Sequence, residues 1–551
     1  MLSILFNWLY IGIVTFLLGI GFSVFSTKIF GYGIKRVDSV LVAGITISTV
    51  YAQVFSLFAG VQLAANVVLI VTCVIICATC HGFILEFLKN TWKSCGVSKK
   101  FFLLVLVVLW SYFTSRGYMH IDSDLYHAQS IRWIEEYGVV PGLGNLHERF
   151  AYNSSFFALS ALYSMKFLVG DSLHTLSGFF ALILSITALD ITKSWKRRKF
   201  VLSDYARVAA IYYLTTIIDE VISPASDYSI MCMIFFIVIK WLDCLEKDKE
   251  QSEVMAPYAL LCVVGVYALT LKLTAGLILI LVIKPAFELI RQKKWKEILV
   301  YLSLGLAVAA PWFARTIMIS GWLIYPFPAL DLFQVDWKMN ADLIAVDAAQ
   351  ISAWGKALYD IALLDTPVTE WLPNWFLTTL SGTEKLLVLG SFGCIIIYAM
   401  NMVWICIKKQ WEKLDFALVV GAVICSYLFW QFSAPLMRYG YAYVLLSVFL
   451  TAGGVLTGIG KGKLVYGLII LYGIYKVAII GEHIYNSRLV DTYIHQGDYG
   501  IYEMVTYEVD GIVFYKPAYG ALQGYDYFPA SPTEASIELR GDGLEDGFRH
   551  K

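Results

Sequence analysis

Apolar runs long enough to cross a bilayer recur along almost the whole chain, and they leave few folds open. A span needs roughly 20 consecutive apolar residues. Such runs lie near residues 5–25, 38–58, 62–85, 101–116, 172–192, 205–222, 228–244, 256–271, 274–290, 298–318, 385–407, 414–432, 439–457 and 464–481, about fourteen in all. In hydrocarbon every backbone N–H and C=O must find an internal partner, which continuous runs of this length achieve as helices. Of the 551 residues 59% are apolar and 15% charged, against roughly 25% charged in a soluble domain. The expected fold is an all-α polytopic membrane bundle in contact with a lipid bilayer. The formal net charge is zero, so nothing suggests nucleic acid. The first residues lack a basic stretch ahead of an apolar run long enough to span, so no cleaved signal peptide is expected.

Charge sets the sidedness. Basic residues gather in alternate connections: Lys28, Lys35 and Arg36; Lys89, Lys93, Lys99 and Lys100; Lys193, Lys196, Arg197, Arg198 and Lys199; Arg291, Lys293, Lys294 and Lys296; Lys408, Lys409 and Lys413; Lys461 and Lys463. The positive-inside rule puts these in the cytoplasm. Asn153–Leu168 is apolar enough to be a span, but a crossing there would invert every later connection. It and Tyr126–Tyr137 are therefore read as extracytoplasmic juxtamembrane helices. Helix starts are expected after Asp122 or Asp124 and at Asn153-Ser154-Ser155, where a cap is favoured over a glycosylation sequon.

This parity places the first loop (residues 117–152), the long loop (319–384) and the tail (482–551) outside the cytoplasm. The tail alternates apolar and polar residues with many Gly, Tyr and Pro, which predicts a small β-rich appendage. The ten cysteines fall in spans or on the basic side, so no disulfide framework is expected. Cys77 and Cys80 form a CxxC inside an apolar run and read as small buried residues.

The chemistry collects on the outer side. His120-Ile-Asp122-Ser-Asp124-Leu-Tyr126-His127 places two carboxylates and two imidazoles beside a span, where charged groups are costly and often functional. Asp227 opens a later span from the same side. Lys272 lies in an outer turn, Arg315 near an outer helix end, Arg438 at an outer start, and Arg149 at the end of the first loop. A carboxylate can deprotonate a nucleophile, and cations can hold a phosphate leaving group. Structural readings stand beside these: Asp122, Asp124 and Asp227 can cap helices, and Lys272 and Arg438 can snorkel to head groups. His120, His127 and Asp124 leave a divalent metal such as Mg or Mn open, without a tight ligand motif.

The order of these elements resembles the C-fold (GT-C) membrane glycosyltransferases that use polyprenyl-phosphate sugars, among them protein O-mannosyltransferases and the aminoarabinose transferase of lipid A. The resemblance covers roughly residues 100–480. It rests on Asp122-Ser-Asp124-Leu-Tyr126, Tyr152-Asn-Ser-Ser-Phe156, Ser226-Asp227, Leu271-Lys272-Leu-Thr274, Ala310-Pro-Trp-Phe-Ala-Arg315 followed by Tyr325-Pro326-Phe327, and Pro435-Leu-Met-Arg438-Tyr439. In that family an acid precedes a tyrosine by four residues, which points to Asp122. Here Ser123 replaces the usual neighbouring acid and Asp124 follows, so either aspartate fits. A group of largely uncharacterised bacterial multi-pass proteins is similar more closely. The stretches that carry this are Asp124-Leu-Tyr-His-Ala-Gln129, Gly142-Leu-Gly-Asn-Leu-His147, Phe150-Ala-Tyr-Asn-Ser-Ser155, Ile537-Glu-Leu-Arg540 and Asp546-Gly-Phe548.

The resemblance implies a catalytic core at 101–481; the three-span extension at residues 1–100 departs from the simplest C-fold plan, and a small extracytoplasmic region follows at 482–551. The resemblance also implies an inverting transferase in the bacterial cytoplasmic (inner) membrane, with a polyprenyl-phosphate sugar donor and a glycan, lipid or protein acceptor. Asp122 or Asp124 would be the general base. Lys272 and Arg438, with Arg315 and Arg149 behind them, would bind the donor phosphate. Asp227, His127 and Tyr126 would support the acceptor or a metal. The competing readings are a lipid or glycan flippase and a polysaccharide polymerase using external arginines.

Overall fold

The computed structural model describes residues 1–248, 254–459, 462–486 and 491–551. Lys461 and the side chains of Lys196 and Lys463, three of the predicted cytoplasmic cations, lie outside the described residues. The described chain is mostly helical. Among these residues twelve helices are long and apolar enough to cross a membrane. Their outer faces are apolar: on Leu63–Ser94 the side chains of Val67, Val71, Val74 and Ile75 are exposed, as are Leu386, Leu389 and Ile396 on Gly382–Lys408. A water-soluble protein does not present apolar belts of this extent. The chain is a multi-pass membrane protein.

Helices also form at the two remaining expected positions, and both are short. Leu202–Thr216 has 15 residues and Ala256–Leu271 has 16. At 1.5 Å per residue each covers only about 22–24 Å. Each gives way to polar backbone at its C-terminal end: the turn bearing Asp219 and Glu220, and the extended residue Lys272 (φ −160°, ψ 132°). Beyond Lys272 the chain winds as a 3-10 helix over Leu273–Val282 before an α-helix over Ile283–Arg291.

The three N-terminal helices pack into the rest of the bundle through their polar residues. Asn7 donates to the Tyr163 carbonyl (2.9 Å), Trp8 to Thr175 (3.0 Å) and Asn66 to Leu162 (3.1 Å). The helix Ser155–Tyr163 is nine residues long, too short to span, and all nine are buried. Its apolar sequence serves packing inside the protein. Ser154 caps it by accepting from the Phe156 N–H (3.3 Å). Asn153 is buried, its amide donating to the Trp312 carbonyl (2.9 Å) and the Thr316 hydroxyl (3.0 Å), so the sequon asparagine is occupied.

Among the described residues the cysteines form no disulfide. Cys77 is exposed and Cys80 half-buried on an outward-facing helix, so the reading of both as buried is corrected.

The tail forms two small antiparallel ladders, β1 (Met504–Val509) with β2 (Ile512–Pro517) and β3 (Ile537–Leu539) with β4 (Phe548–His550). Asp510-Gly511 turns the hairpin with both residues at positive φ (49° and 86°), the geometry that Asp-Gly two-residue loops favour. A second core joins this module to the bundle end, with Phe514 and Phe548 meeting Trp133, Phe150, Trp322 and Ile344.

Candidate functional site

Local structure explains why residues far apart in sequence meet. Gly117 has φ +134°, and a Cβ there would lie 2.3 Å from the Asp219 carbonyl oxygen. This close approach lets Tyr118 N–H donate to Asp219 O (2.7 Å) and His120 N–H to the Ser223 hydroxyl (2.8 Å). The first loop is thereby laid beside the turn that leads into Ser226-Asp227.

The chain then enters a helix through a π turn, Ser123–His127, continued by Ala128–Glu136. Wide turns of this kind are rare and often occur at functional sites. Neither expected capping role is taken up, since the Asp122 side chain makes no cap hydrogen bond. The two aspartates have different partners. Asp124 Oδ1 accepts from Gly500 N–H (3.0 Å) and Oδ2 from the Tyr502 hydroxyl (2.8 Å), while its carbonyl accepts from the N–H groups of Gln523 (2.9 Å) and Gly524 (3.0 Å). It is an anchor for the tail. Asp122 instead reaches Arg438, with its Oδ2 2.6 Å from Nη2.

Lys272 is set by its break between helices. The Leu271 carbonyl accepts from Ser154 (2.7 Å) and Thr270 meets Ser155 (2.9 Å), so the Asn153-Ser154-Ser155 stretch holds this turn. Arg438 follows a turn fixed from two sides. Trp430 donates its indole N–H to the Leu436 carbonyl (2.9 Å) and Trp375 to that of Pro435 (3.0 Å).

Four charged side chains thus alternate around one locus: Asp122, Arg438, Asp227, Lys272. Arg438 Nε lies 3.4 Å from Asp227 Oδ2, and Lys272 donates to Asp227 Oδ1. Tyr439 forms one wall, with Lys272 Nζ 3.3 Å from its ring centre and its hydroxyl accepting from Arg438 (2.9 Å). His120 lies against Arg438 Nη1, its Nδ1 3.6 Å from Asp122 Oδ2. The side chains of Asp122, Lys272 and Arg438 keep about a fifth of their surface accessible (20%, 23% and 23%), while Asp227 keeps 8%.

Burial alone would raise the Asp122 pKa, but Arg438 with His127 and His120 outweighs it and holds the carboxyl below its ordinary value. Burial, with Arg438, holds the His120 imidazole low. Burial takes His127 down to about 4, so it is neutral at pH 7. Tyr126 bridges outward: burial raises its phenol far above the usual value, Asp122 and Asp227 add to this, and Arg149 opposes it.

Arg149 and Arg315 stand apart from the four. Arg149 pairs with Asp347 (3.5 Å), which also accepts from the hydroxyls of Tyr152 (2.5 Å) and Tyr325 (2.9 Å). Arg315 is 2% exposed and donates to Asn153 Oδ1 (3.0 Å) and to the Ser56 hydroxyl. Beside it is a cavity of about 10 Å³, room for one water. Arg315 braces the Asn153 turn, away from the four charged side chains. Sequence reasoning passed over Asp347, Trp375 and Trp430. Asp347 had one visible signal, a second carboxylate within the largely apolar segment Ala341–Gly355. Among the described residues no group of three or more His, Cys, Asp or Glu side chains is arranged to hold a metal ion.

Comparison with curated proteins and with solved structures gives no match. A family model matches residues 1–445, and the chain therefore belongs to the family described as a domain of unknown function, DUF8201.

Proposed function

We propose that this protein is an inverting glycosyltransferase of GT-C type that takes its sugar from a polyprenyl-phosphate donor. The observation that carries this reading is the alternating Asp122–Arg438–Asp227–Lys272 cluster, assembled from four segments at one bundle end. The ordered resemblance to C-fold transferases supports it. The basic connections support a site on the extracytoplasmic side of the bacterial inner membrane.

Two carboxylates and two cations cancel, so an incoming phosphate must compete for Arg438 and Lys272. That competition has a chemical use. As Arg438 turns to the phosphate, Asp122 loses its nearest cation and its proton affinity rises. The base is thus strengthened when the donor is in place.

Asp122 then takes the proton of an acceptor hydroxyl. The acceptor oxygen bonds to the anomeric carbon on the face opposite the phosphate, and the anomeric C–O bond to phosphate breaks with its electron pair. The departing polyprenyl phosphate is stabilised by Arg438 and Lys272. Asp227 orients the acceptor or supports a divalent cation, and Tyr126 and His127 border the acceptor's approach. The acceptor is a glycan, a lipid or a protein.

The test is sugar transfer by purified protein from defined polyprenyl-phosphate sugars. Transfer from monophosphate donors with inverted stereochemistry is expected. Use of diphosphate donors alone would assign a polymerase, and lipid flipping without transfer a transporter.

A further inference from the structure

A second cavity, of about 360 Å³, opens where the first helix begins. Its size falls within the roughly 300–1,000 Å³ of small-molecule sites. Three segments wall it: Leu2, Ser3 and Phe6; residues 169–174; and residues 494–498. They are tied together, Ser3 N–H donating to Ile494 O (3.0 Å), His174 N–H to Gln496 Oε1 (3.0 Å) and Gln496 Nε2 to His174 O (3.1 Å).

The rim is apolar and exposed at Leu2, Phe6, Val169 and Ile494. Leu2 and Phe6 belong to a helix long enough to cross the bilayer, which sets the mouth at the hydrocarbon edge. Asp171 and Asp498 carry the charge of the polar lining, beside Ser3, Ser172, His495 and Gln496. Asp171 and Asp498 make no ion pair among the described residues. Burial, with Asp171, Asp526 and Asp124 nearby, raises the Asp498 carboxyl above its ordinary value against the hydrogen bond it accepts from the Tyr499 N–H (2.8 Å). His174 is 4% exposed, and its Nδ1 has no hydrogen-bond partner. Burial takes this imidazole down to about 3, so the neutral ring can present an acceptor nitrogen. The Met1 nitrogen at this rim already donates to the Thr492 carbonyl (2.6 Å).

Unpaired carboxylates, an orphaned imidazole nitrogen and an apolar mouth are the complement of an amphiphile with a donor-rich cationic head. We infer that this cavity seats a membrane lipid whose head group ends in a primary ammonium. The three N–H donors of the head meet Asp171, Asp498 and His174, and the first chain carbons lie on Leu2, Phe6 and Ile494. No residue of the Asp122 cluster takes part, and the inference is independent of the glycosyltransferase reading.

Native mass spectrometry of the full chain in detergent tests it, with short-chain phosphatidylethanolamine titrated against phosphatidylglycerol of the same acyl length. Both lipids carry the phosphate, so the comparison isolates the ammonium. Two partly solvated charge contacts predict about fivefold tighter binding of the ethanolamine lipid. Asp171→Asn with Asp498→Asn should bring the two lipids to parity, and either single change should halve the preference or more. Both positions are exposed, so the single variants carry the test if the double variant does not fold. Equal binding by the unmodified protein, or a preference untouched by these changes, would overturn the inference.

Discussion

One helix, Ser226–Asp248, carries a member of two charge networks. Asp227 belongs to the cluster with Asp122, Arg438 and Lys272; Lys240, 13 residues on and so about 20 Å away along the axis, pairs with Asp38. At the Lys240 end Asp38 and Asp190 keep 2% and 1% of their side-chain surface, joined to Arg36, Lys99 and Lys193. That network is closed at its carboxylates. Each is buried and saturated by cations from neighbouring elements, while Arg36, Lys99 and Lys193 keep 30%, 38% and 57% of their side-chain surface on the outside. At the Asp227 end three of the four charges remain a fifth exposed, beside the aromatic wall of Tyr439. Similar ion pairing therefore serves two ends: the closed network fixes how helices meet, and the open one can exchange its internal partners for a ligand.

The comparison can be broken by removing one partner from each network. Lys240→Met leaves Asp38 nearly buried with only Arg36 to pair it, and should cost about 3 kcal/mol or more. Thermal unfolding in detergent should show this large loss, and adding Asp38→Asn should recover much of it. If the closed network were the functional one, the double variant would be stable but inactive.

At the open end the larger effect is on binding. Arg438→Ala or Lys272→Ala removes a charge-assisted contact and should weaken polyprenyl-phosphate binding by about tenfold or more. Stability should change less than in Lys240→Met, because Arg438 and Lys272 are each a fifth exposed and either variant leaves the buried Asp227 one of its two cations. Equilibrium binding and unfolding measured on the same samples separate the two.

The pH dependence sharpens the same point. Arg438 holds the Asp122 pKa below its unfolded value. The pair's contribution to stability is therefore present above the ordinary aspartate range, near 4, and fades as pH falls through the lower folded value. Removing the cation raises the pKa. Arg438→Gln should shift the acid limb of kcat/KM to higher pH.

The smallest effect belongs to the tail. Tyr502→Phe deletes one hydrogen bond to Asp124 and should cost about 0.5–1.5 kcal/mol. Hydrogen exchange should rise in residues 500–525 before it rises in the bundle.

The spans were legible because hydrocarbon thickness and backbone satisfaction act on every residue of a run. The pairing of Asp227 with Lys272 and of Asp122 with Arg438 was partly legible, because all four break apolar context on one side of the charge pattern. The split between Asp122 and Asp124 was not. It depends on a π turn, which displaces side chains from the spacing of a regular helix, and on tail residues near 500 and 523 that carry no signal toward residue 124. The role of Arg315 was hidden for a related reason: sequence places it near a helix end, while only packing decides that Asn153 and Ser56 enclose it. The helix Leu202–Thr216 reads as a longer span, to residue 222, because Ile217, Ile218, Val221 and Ile222 continue past the point where the backbone turns aside; Ala256–Leu271 has the bounds the sequence predicts and is short because Lys272 breaks it.

Asp122 as the base and Asp124 as the anchor predict opposite outcomes for the same substitution. Transfer from a radiolabelled polyprenyl-phosphate sugar, measured for Asp122→Asn and Asp124→Asn beside the unmodified protein, tests this directly. Loss of a general base predicts a fall of about 10²–10⁴-fold for Asp122→Asn, with Asp124→Asn retaining most activity while its tail exchanges faster. Full activity in Asp122→Asn would contradict the account.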